Sequence, residues 1–382
     1  MENEAYIQFL KSAHFKGAGG LRIIIAGGGT GGHIFPAIAI ANALKRQHPA
    51  MEILFVGAKG KMEMEKVPEA GFRIVGLYIA GYNRSSFIKN ITLPFKLARS
   101  FYQVRKILSA FKPDAVIGVG GYSSFPVVRL AQTQNIPTFI HESNSYAGKS
   151  NMMLAKKALK IFVASYGMEK FFPADKLLMT GNPVRSIFSE PLISRKDALN
   201  FFGLKEELKT VLILGGSLGA GSINEVVKNG ISFFRDHNLQ LIWQTGKAYS
   251  ETAASLEEEQ INIWTGAFIN NMAAAYSAAD FVISRSGAMA VSELCVVAKP
   301  VIFVPYPHAA EDHQTANAMT LVQNRAALIV DDNHVSEKLL DTLKMLVMDK
   351  PLADELRKNI AKYGNTNADE IIAEEILKDI NV

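Results

Sequence analysis

The strongest constraint on the fold is a short apolar run that ends in a glycine-rich loop, because the chain contains this arrangement twice. Residues 21–26 (LRIIIA) lead into Gly27-Gly-Gly-Thr-Gly-Gly-His33, and residues 211–214 (VLIL) lead into Gly215-Gly-Ser-Leu-Gly-Ala220. A β-branched apolar run bounded by glycine is typical of a buried parallel strand. A helical pattern follows each loop, so the sequence predicts two similar doubly wound α/β domains in tandem.

Other apolar runs continue the alternation of strand and helix. Further strands are predicted at residues 52–57, 115–118, 138–140, 241–244, 281–284 and 301–304. The predicted organisation is a loosely ordered extension at 1–20, a Rossmann-like domain at 21–182, a second one at 183–350 and a helical tail at 351–382. Ligands of open α/β sheets bind beyond the carboxyl ends of the strands. We therefore expect the two domains to face a cleft that holds a two-part ligand.

Composition narrows the class of protein. The only cysteine is Cys295, which excludes a disulfide scaffold and a multi-cysteine metal site. No stretch approaches the ~18 continuous apolar residues of a membrane span, and the acidic start of the chain is not a signal peptide. We therefore expect a protein that stays in the cytoplasm. The formal net charge of +5 predicts an anionic partner, for which nucleic acid, phospholipid head groups and a phosphorylated substrate all qualify.

The two glycine loops have the chemistry of anion sites. Gly27, Gly29 and Gly32 form a Gly-x-Gly-x-x-Gly pattern, and a helix N-terminus after such a loop favours a phosphate. A dinucleotide site also needs an acidic residue at the end of the second strand, but this strand ends in Phe-Val-Gly at 55–57. A P-loop needs a Gly-Lys-Ser/Thr sequence, which does not follow. Helix packing alone explains one such loop, whereas two at equivalent points favour a pyrophosphate-bearing ligand.

Polar side chains follow several predicted strands. His33 either caps a helix or acts as a general base, because imidazole titrates near neutral pH. Residues 141–144 (HESN) follow a strand directly, and Glu293 either lies on an ordinary helix face or accepts hydrogen bonds from a ribose diol. Residues 308–317 (HAAEDHQTAN) fit a metal site or sugar recognition. No Asp-x-Asp occurs in the chain, so a leaving diphosphate would depend on helix termini and on side chains such as Arg185.

A set of segments in a fixed order resembles the MurG family, the peptidoglycan N-acetylglucosaminyltransferases that convert lipid I to lipid II. The segments are GGGTGGHIFPAIAIA, GVGGYSSFP, IHESN, GNPVR, GGSLGA, SRSGAMAVSE and HQTANA, and the similarity extends from about residue 21 to the end of the chain. The resemblance implies a GT-B fold, UDP-GlcNAc as donor, lipid I as acceptor and inversion at the anomeric carbon. No cofactor, no metal ion at the donor site and no nucleic-acid partner are expected.

The family's functional residues match positions of this chain one by one. His33 matches the proposed catalytic base, and Thr30, Gly31 and Gly32 match the loop that faces the sugar and the acceptor diphosphate. The other matched substrate-binding positions are Asn144, Arg185, Ser217 at the UDP phosphates, Ile269 at uracil, Ala288, Met289, Ala290, Val291, Ser292 and Glu293 along the nucleotide, and Gln314 at the GlcNAc hydroxyls. The chain departs from the family at Ser143 and Leu218, where glutamine is common, and at His313, where some members have glutamine.

A basic and apolar segment bears on how the chain reaches a lipid-linked acceptor. Residues 87–106 (FIKNITLPFKLARSFYQVRK) contain bulky apolar and basic side chains and no acidic one. This composition is typical of an element that seeks an anionic membrane surface, although a helix packed on its sheet explains the same pattern. Together with the resemblance, the segment predicts a peripheral protein at the cytoplasmic face of the bacterial inner membrane.

Four other functions stay open on the sequence alone. A UDP-GlcNAc 2-epimerase or a glycolipid transferase would share the fold and the donor, because a fold does not fix a function. A nucleotide-sugar-binding subunit would leave the chemistry to a partner, and an NAD dehydrogenase would have to bind NAD without the usual acid. Release of UDP that depends on lipid I separates the transferase from these alternatives.

Overall fold

The computed structural model describes residues 20–81, 93–184, 193–216, 219–259 and 262–380. These residues divide into two compact units. Unit 1 contains residues 20–184 together with 367–380, and unit 2 contains residues 193–366.

Unit 1 alternates strands and helices along the chain. Its elements are β1 (Arg22–Ala26), α1 (Gly31–Gln47), β2 (Glu52–Ala58), α2 (Glu63–Glu69), β3 (Arg73–Leu77), α3 (Leu93–Phe111), β4 (Ala115–Gly118), α4 (Ser124–Thr133), β5 (Thr138–Glu142), α5 (Lys149–Ala155), β6 (Lys160–Val163) and β7 (Leu177–Met179). Its strands form a seven-stranded sheet in the order β3-β2-β1-β4-β5-β6-β7. All six pairings are parallel.

Unit 2 repeats this plan. Its elements are α6 (Arg195–Phe201), β8 (Lys209–Leu214), α7 (Gly221–Asn229), α8 (Ile231–Asp236), β9 (Leu239–Gln244), α9 (Ser250–Glu259), β10 (Ile263–Gly266), α10 (Met272–Ala278), β11 (Phe281–Ser284), α11 (Ala288–Val297), β12 (Val301–Phe303), α12 (His313–Gln323), β13 (Leu328–Ile329), α13 (Val335–Met348) and α14 (Lys350–Ile360). Its sheet is also parallel, in the order β10-β9-β8-β11-β12-β13. The predicted pair of doubly wound parallel sheets is confirmed.

Each glycine loop follows the strand at which the strand order of its sheet reverses. The strand β1 lies between β2 and β4, and the strand β8 lies between β9 and β11. The chain therefore builds outward on one side of each central strand and then crosses to the other. Such a switch point opens a crevice beyond the carboxyl ends of the strands, where ligands of this class of sheet bind. The fold thus places each loop at the ligand-binding point of its own sheet.

The last helix, α15 (Ala368–Asp379), belongs to unit 1. Its apolar face, made by Ile372, Ala373, Ile376 and Leu377, is buried in the core that also contains residues of β1 and α1. Ion pairs reinforce the packing, with Arg46 contacting Asp369 and Glu370, and Lys160 contacting Glu375 and Asp379. The preceding helix α14 packs with α13 in unit 2. Among the helices that the structure describes, none is long and apolar enough to cross a membrane.

Candidate active site

The first glycine loop is held against a buried carboxylate. Gly29 donates its backbone N–H to Glu63 Oε2 at 2.9 Å, and Ala58 donates its own to Glu63 Oε1 at 2.9 Å. The side chain of Glu63 is 1% exposed, and a Cβ on Gly28 or on Gly57 would overlap it. Glycine is thus required at both positions by the close approach of this carboxylate. Sequence analysis did not single out Glu63.

The ring of His33 lies over the same loop. Its Nδ1 atom is 3.2 Å from the carbonyl oxygen of Gly28 and 3.3 Å from Thr30 Oγ1. A carbonyl oxygen only accepts, so Nδ1 carries the hydrogen in this contact, and in the neutral ring Nε2 then carries the lone pair. On its other side the ring packs against Gly120, where any Cβ would meet the ring. The predicted residues Thr30, Gly31, Gly32 and His33 therefore form one group at the start of α1.

The helix α1 begins at Gly31, and Pro36 lies inside it. Because proline has no N–H, the carbonyl of Gly32, four residues earlier, loses its helical donor. The hydroxyl of Ser143 donates to this carbonyl instead, at 3.1 Å. Ser143, where the family often has glutamine, therefore ties the start of α1 to the segment that follows β5.

The segment His141–Asn144 is mostly buried and densely hydrogen-bonded. Glu142 accepts hydrogen bonds from the backbone and side-chain nitrogens of Asn144, at 3.1 Å and 3.3 Å, on Oε1. Its Oε2 accepts from Gly148 N and Asn151 Nδ2, both at 2.9 Å. The predicted substrate residue Asn144 is therefore oriented by Glu142.

His141 is fully buried beside the group formed by residues 30–33. Burial is the main effect that lowers the pKa of its imidazole, to about 4, and the electrostatic interaction with His33 lowers it further. The backbone of Gly181 opposes this change. His141 is therefore neutral near pH 7, and its Nδ1 lies 3.4 Å from Ser143 Oγ.

The second glycine loop is described on both sides of residues 217 and 218. Gly216 has φ of +82° and Gly219 has φ of +79°, and a Cβ on Gly219 would overlap the carbonyl of Thr245. Gln244, at the end of β9, donates to the Gly216 carbonyl at 3.0 Å and accepts from the N–H of Ile269 at 3.1 Å. Gln244 thus joins the loop to the predicted uracil-binding residue. The predicted residues Ser217 and Arg185 lie outside the described residues.

The predicted nucleotide segment opens α11. Gly287 is its N-cap, Ala288 is its first residue, and its first turn contains no acidic side chain. Glu293, one turn further on, is 4% exposed and accepts a hydrogen bond from Tyr276 at 3.1 Å. The hydroxyl of Ser292 turns back to the carbonyl of Ala288 at 3.0 Å.

Gln314 lies in the first turn of α12. Its Oε1 accepts from the N–H of Tyr306 at 3.0 Å, and its carbonyl accepts from Ser286 Oγ at 2.8 Å. These contacts link Gln314 to the turn that precedes α11. Within the described ranges, no group of three or more His, Cys, Asp or Glu side chains could hold a metal ion, and this includes the segment 308–317.

Arg285 is a second residue that sequence analysis did not single out. Its Nη1 donates to the carbonyls of Val304 and Pro305, both at 3.0 Å, and to Asp332 Oδ1 at 2.5 Å. Its Nη2 donates to Ser222 Oγ at 3.0 Å, and that hydroxyl donates to Asp332 at 2.6 Å. One buried guanidinium therefore joins the start of α7, the end of β12 and the turn at Asp332.

The two sheets and their glycine loops define the class of protein, a GT-B glycosyltransferase. Residues 23–163 match the N-terminal domain of glycosyltransferase family 28, and residues 210–375 match its C-terminal domain. The chain belongs to this family and, within it, to the MurG family.

The relatives and solved structures agree with this assignment. The chain is 51% identical over 361 residues to the UDP-N-acetylglucosamine--N-acetylmuramyl-(pentapeptide) pyrophosphoryl-undecaprenol N-acetylglucosamine transferase of Phocaeicola vulgatus, covering 94% of this chain and 96% of that one. It is 49% identical to the enzyme of the same name from Parabacteroides distasonis, covering 94% and 98%. The crystal structure of MurG from Acinetobacter baumannii superposes with a TM-score of 0.74 at 29% identity, covering 94% and 99%.

Proposed function

We propose that the chain transfers N-acetylglucosamine from UDP-GlcNAc to the C4 hydroxyl of the MurNAc residue of lipid I, giving lipid II for peptidoglycan synthesis. The observation that carries this proposal is the 51% identity to the Phocaeicola vulgatus transferase across nearly the full length of both chains. The name of that enzyme gives UDP-N-acetylglucosamine as one substrate and N-acetylmuramyl-(pentapeptide) pyrophosphoryl-undecaprenol as the other.

In the proposed reaction unit 1 holds the acceptor and supplies the base. The Nδ1–H of His33 is committed to the Gly28 carbonyl, so Nε2 takes the proton of the C4 hydroxyl. The backbone amides of Gly31 and Gly32, at a helix N-terminus without an acidic first turn, bind the acceptor diphosphate. The oxygen forms its bond to the anomeric carbon as the bond to the UDP oxygen breaks on the opposite face, and the configuration inverts.

Unit 2 holds the donor in this proposal. The backbone of Ile269 binds uracil, and the Glu293 carboxylate, oriented by Tyr276, accepts from the ribose diol. Gln314 binds the GlcNAc hydroxyls. Residues 288–292 lie along the nucleotide, where the N-terminus of α11 favours negative charge. Ser217 and Arg185 are assigned to the UDP diphosphate, whose developing charge helix termini also stabilise without a metal ion.

The membrane contact is assigned to α3. Its buried face contains Val104, Ile107, Leu108 and Phe111, whereas Phe95 and Tyr102 are 79% and 61% exposed. Lys106 lies over the ring of Tyr102 at 4.6 Å, which places a cation beside an exposed aromatic ring. One helix thus packs on the sheet with one face and offers the other to an anionic surface. We propose that the protein binds the cytoplasmic face of the inner membrane peripherally through this face.

The test of the transferase is release of UDP by the purified protein with UDP-GlcNAc and a lipid I analogue, in the presence of EDTA. We expect release that requires the acceptor and persists in EDTA. A His33→Ala variant should lose at least about 100-fold in kcat, the usual contribution of a general base. His48→Ala, at the other end of α1, is the matched control and should keep the activity of the parent chain.

Two results would contradict the assignment. Tight binding of UDP-GlcNAc without acceptor-dependent release of UDP would favour a binding subunit. Formation of the 2-epimer without lipid I would favour an epimerase. Loss of activity in EDTA, restored by a divalent cation, would overturn the metal-independent mechanism while leaving the transferase in place.

A further inference from the structure

The peptide unit between Gly28 and Gly29 is held at both ends. Its N–H donates to Glu63 Oε2 at 2.9 Å, and its carbonyl accepts from His33 Nδ1 at 3.2 Å. The three groups therefore form a continuous series: carboxylate, peptide, imidazole. Both hydrogen bonds point the same way, since the imidazole donates to the peptide and the peptide donates to the carboxylate.

We propose that Glu63 is a positioning residue that acts on His33 through the Gly28–Gly29 peptide. The inference deepens the proposed function, because it rests on His33 as the base of the transfer. Glu63 holds the peptide in the one orientation that presents its carbonyl to Nδ1. It thereby fixes the ring in the tautomer with hydrogen on Nδ1 and a lone pair on Nε2.

The physical basis is the cooperativity of hydrogen bonds in series. A carboxylate that accepts from a peptide N–H polarises the peptide and makes its carbonyl a stronger acceptor. A stronger acceptor at Nδ1 favours the Nδ1–H tautomer and stabilises the imidazolium that forms when Nε2 takes a proton. Histidine ligands of metals are oriented in the same manner by a carboxylate or a carbonyl behind the ring. Here the carboxylate is one peptide further away.

The burial of Glu63 assigns it to this indirect role. Its side chain is 1% exposed, and both of its oxygens accept backbone N–H groups of the protein itself. Its second oxygen accepts from Ala58 N at 2.9 Å, which anchors the carboxylate to the end of β2. Burial raises the pKa of the nearby Tyr122 hydroxyl, and the negative charge of Glu63 raises it further. Because Glu63 accepts the N–H of Gly29, a ligand phosphate at this loop would bind the backbone N–H groups of the residues that follow.

In the transfer step the imidazole of His33 receives the proton of the C4 hydroxyl. As the C4 oxygen forms its bond to the anomeric carbon, the C4 proton moves to Nε2 of His33. The electron pair of the broken bond between the anomeric carbon and the phosphate oxygen leaves with UDP. The imidazolium then keeps its Nδ1–H on the Gly28 carbonyl, and the negative charge of Glu63 lies behind the peptide.

The first experiment measures the tautomer of His33 in the full-length protein without substrate. Nitrogen-15 NMR of the imidazole, assigned by comparison with His33→Ala, should show the hydrogen on Nδ1. In Glu63→Gln the amide group places an N–H donor against one of the two backbone N–H groups, and we expect the Nε2–H tautomer to gain population. Glu65→Gln on the same helix, whose side chain is 71% exposed, is the matched control and should leave the tautomer unchanged.

The second experiment separates positioning from folding. Glu63→Gln should lower kcat by about 10- to 100-fold, the usual cost of losing a group that orients another, with little change in KM for UDP-GlcNAc. A parent protein with the hydrogen on Nε2 of His33 would overturn the proposal, and this result does not depend on the folding of Glu63→Gln. An unchanged tautomer in a folded Glu63→Gln variant would also overturn it. Because the tautomer is read without substrate, absence of transferase activity would contradict the proposed function and not this inference.

Discussion

At the scale of single residues, Pro36 and Ser143 share a function that neither performs alone. A proline inside a helix costs about 3 kcal/mol, partly because one carbonyl loses its donor. In α1 the carbonyl of Gly32 recovers a donor from Ser143, which follows the neighbouring strand β5. The first turn of the helix that contains His33 is therefore hydrogen-bonded to the segment that follows β5.

The burial of His141 predicts a specific dependence of stability on pH. Its pKa is lowered to about 4 in the folded chain and is near 6.5 in the unfolded chain. The unfolded state therefore binds more protons between these values, so the stabilisation is complete above pH 6.5 and is lost as the pH falls to about 4. The free energy of unfolding of the parent chain should decrease by up to about 3 kcal/mol more than that of His141→Gln over this range.

Urea unfolding at a series of pH values measures this difference. His48→Gln is the control, because His48 is only partly buried, and it should keep the pH dependence of the parent chain. Parallel curves for the parent and for His141→Gln would show that His141 does not titrate as its burial implies.

Sequence alone could propose candidate site residues such as His33, but not the residues that hold them in place. His33 follows a glycine loop at the end of a strand, and such a position has few structural explanations. Glu63 lies in a run with Glu65 and Glu69, and no local pattern distinguishes the buried carboxylate from the exposed ones. Glu63 is distinguished by its close approach to Gly57, which is near in sequence, and to Gly28, which belongs to a segment distant in sequence.

At the scale of elements, the strands that sequence analysis missed are mainly those at the edges of the sheets. The central strands β1, β2, β4, β8, β9, β11 and β12 are buried on both faces and read as continuous apolar runs. The edge strands β3, β7, β10 and β13 were not predicted. They are short or only half-buried, so their sequences (RIVGL, LLM, IWTG and LI) give a weak signal. β6 (KIFV), next to an edge, was also not predicted.

Helix boundaries were also less predictable than helix existence. The pattern of residues 36–47 (PAIAIANALKRQ) predicts a helix with Pro36 near its first turn, where proline is tolerated. The helix begins earlier, at Gly31. Its first turn contains Gly31 and Gly32, which have a low helix propensity. This turn is stabilised by the hydrogen bond from the Ser143 hydroxyl to the Gly32 carbonyl.

The cluster of Arg285, Asp332 and Ser222 leads to a prediction about the support of the proposed donor site. Asp332→Asn leaves the buried guanidinium without its counter-charge while keeping a hydrogen-bond acceptor. We expect the free energy of unfolding to fall by on the order of 2 kcal/mol. Because Ser222 lies in the first turn of α7, directly after the second glycine loop, KM for UDP-GlcNAc should rise about 10-fold at a comparable kcat.

Denaturant unfolding and initial rates at varied UDP-GlcNAc measure both effects. Asp341→Asn, at an exposed position on α13, is the control and should change neither quantity. A stability loss without a change in KM would show that the cluster supports the fold of unit 2 but not its loop.

At the scale of the whole molecule, the helix α3 bears on how the protein meets a membrane. Sequence analysis left open whether the apolar and basic segment packs on a sheet or meets a membrane. In the described part of that segment, residues 93–106, one face of α3 packs on the sheet and the other exposes Phe95 and Tyr102. Residues 87–92 lie outside the described residues.

This arrangement predicts salt-sensitive binding to anionic vesicles. The full-length protein should bind phosphatidylglycerol vesicles more tightly than phosphatidylcholine vesicles. Lys96→Gln should weaken binding about 5-fold, since one basic residue near an anionic surface contributes about 1 kcal/mol. Phe95→Ser should also weaken it, through lost apolar contact.

Vesicle sedimentation at two salt concentrations measures these affinities. Met348→Ser is the matched control, because Met348 in unit 2 is a comparably exposed apolar residue, at 72%. Equal losses for Phe95→Ser and Met348→Ser would show that apolar exposure, and not α3, determines binding.

The position of α15 affects the order in which the protein matures during synthesis. The whole of unit 2 is translated between β7 and the helix that completes the core around Ile23 and Ile25. Domains generally fold as they emerge, the N-terminal one first. Here the N-terminal unit emerges first but keeps an uncovered apolar patch until the last helix is released. Unit 2 is made second but is thus the first that can finish folding. A chaperone that binds the nascent chain would bind unit 1 before its core is complete, and a chain truncated before α15 would contain unit 1 in that incomplete form.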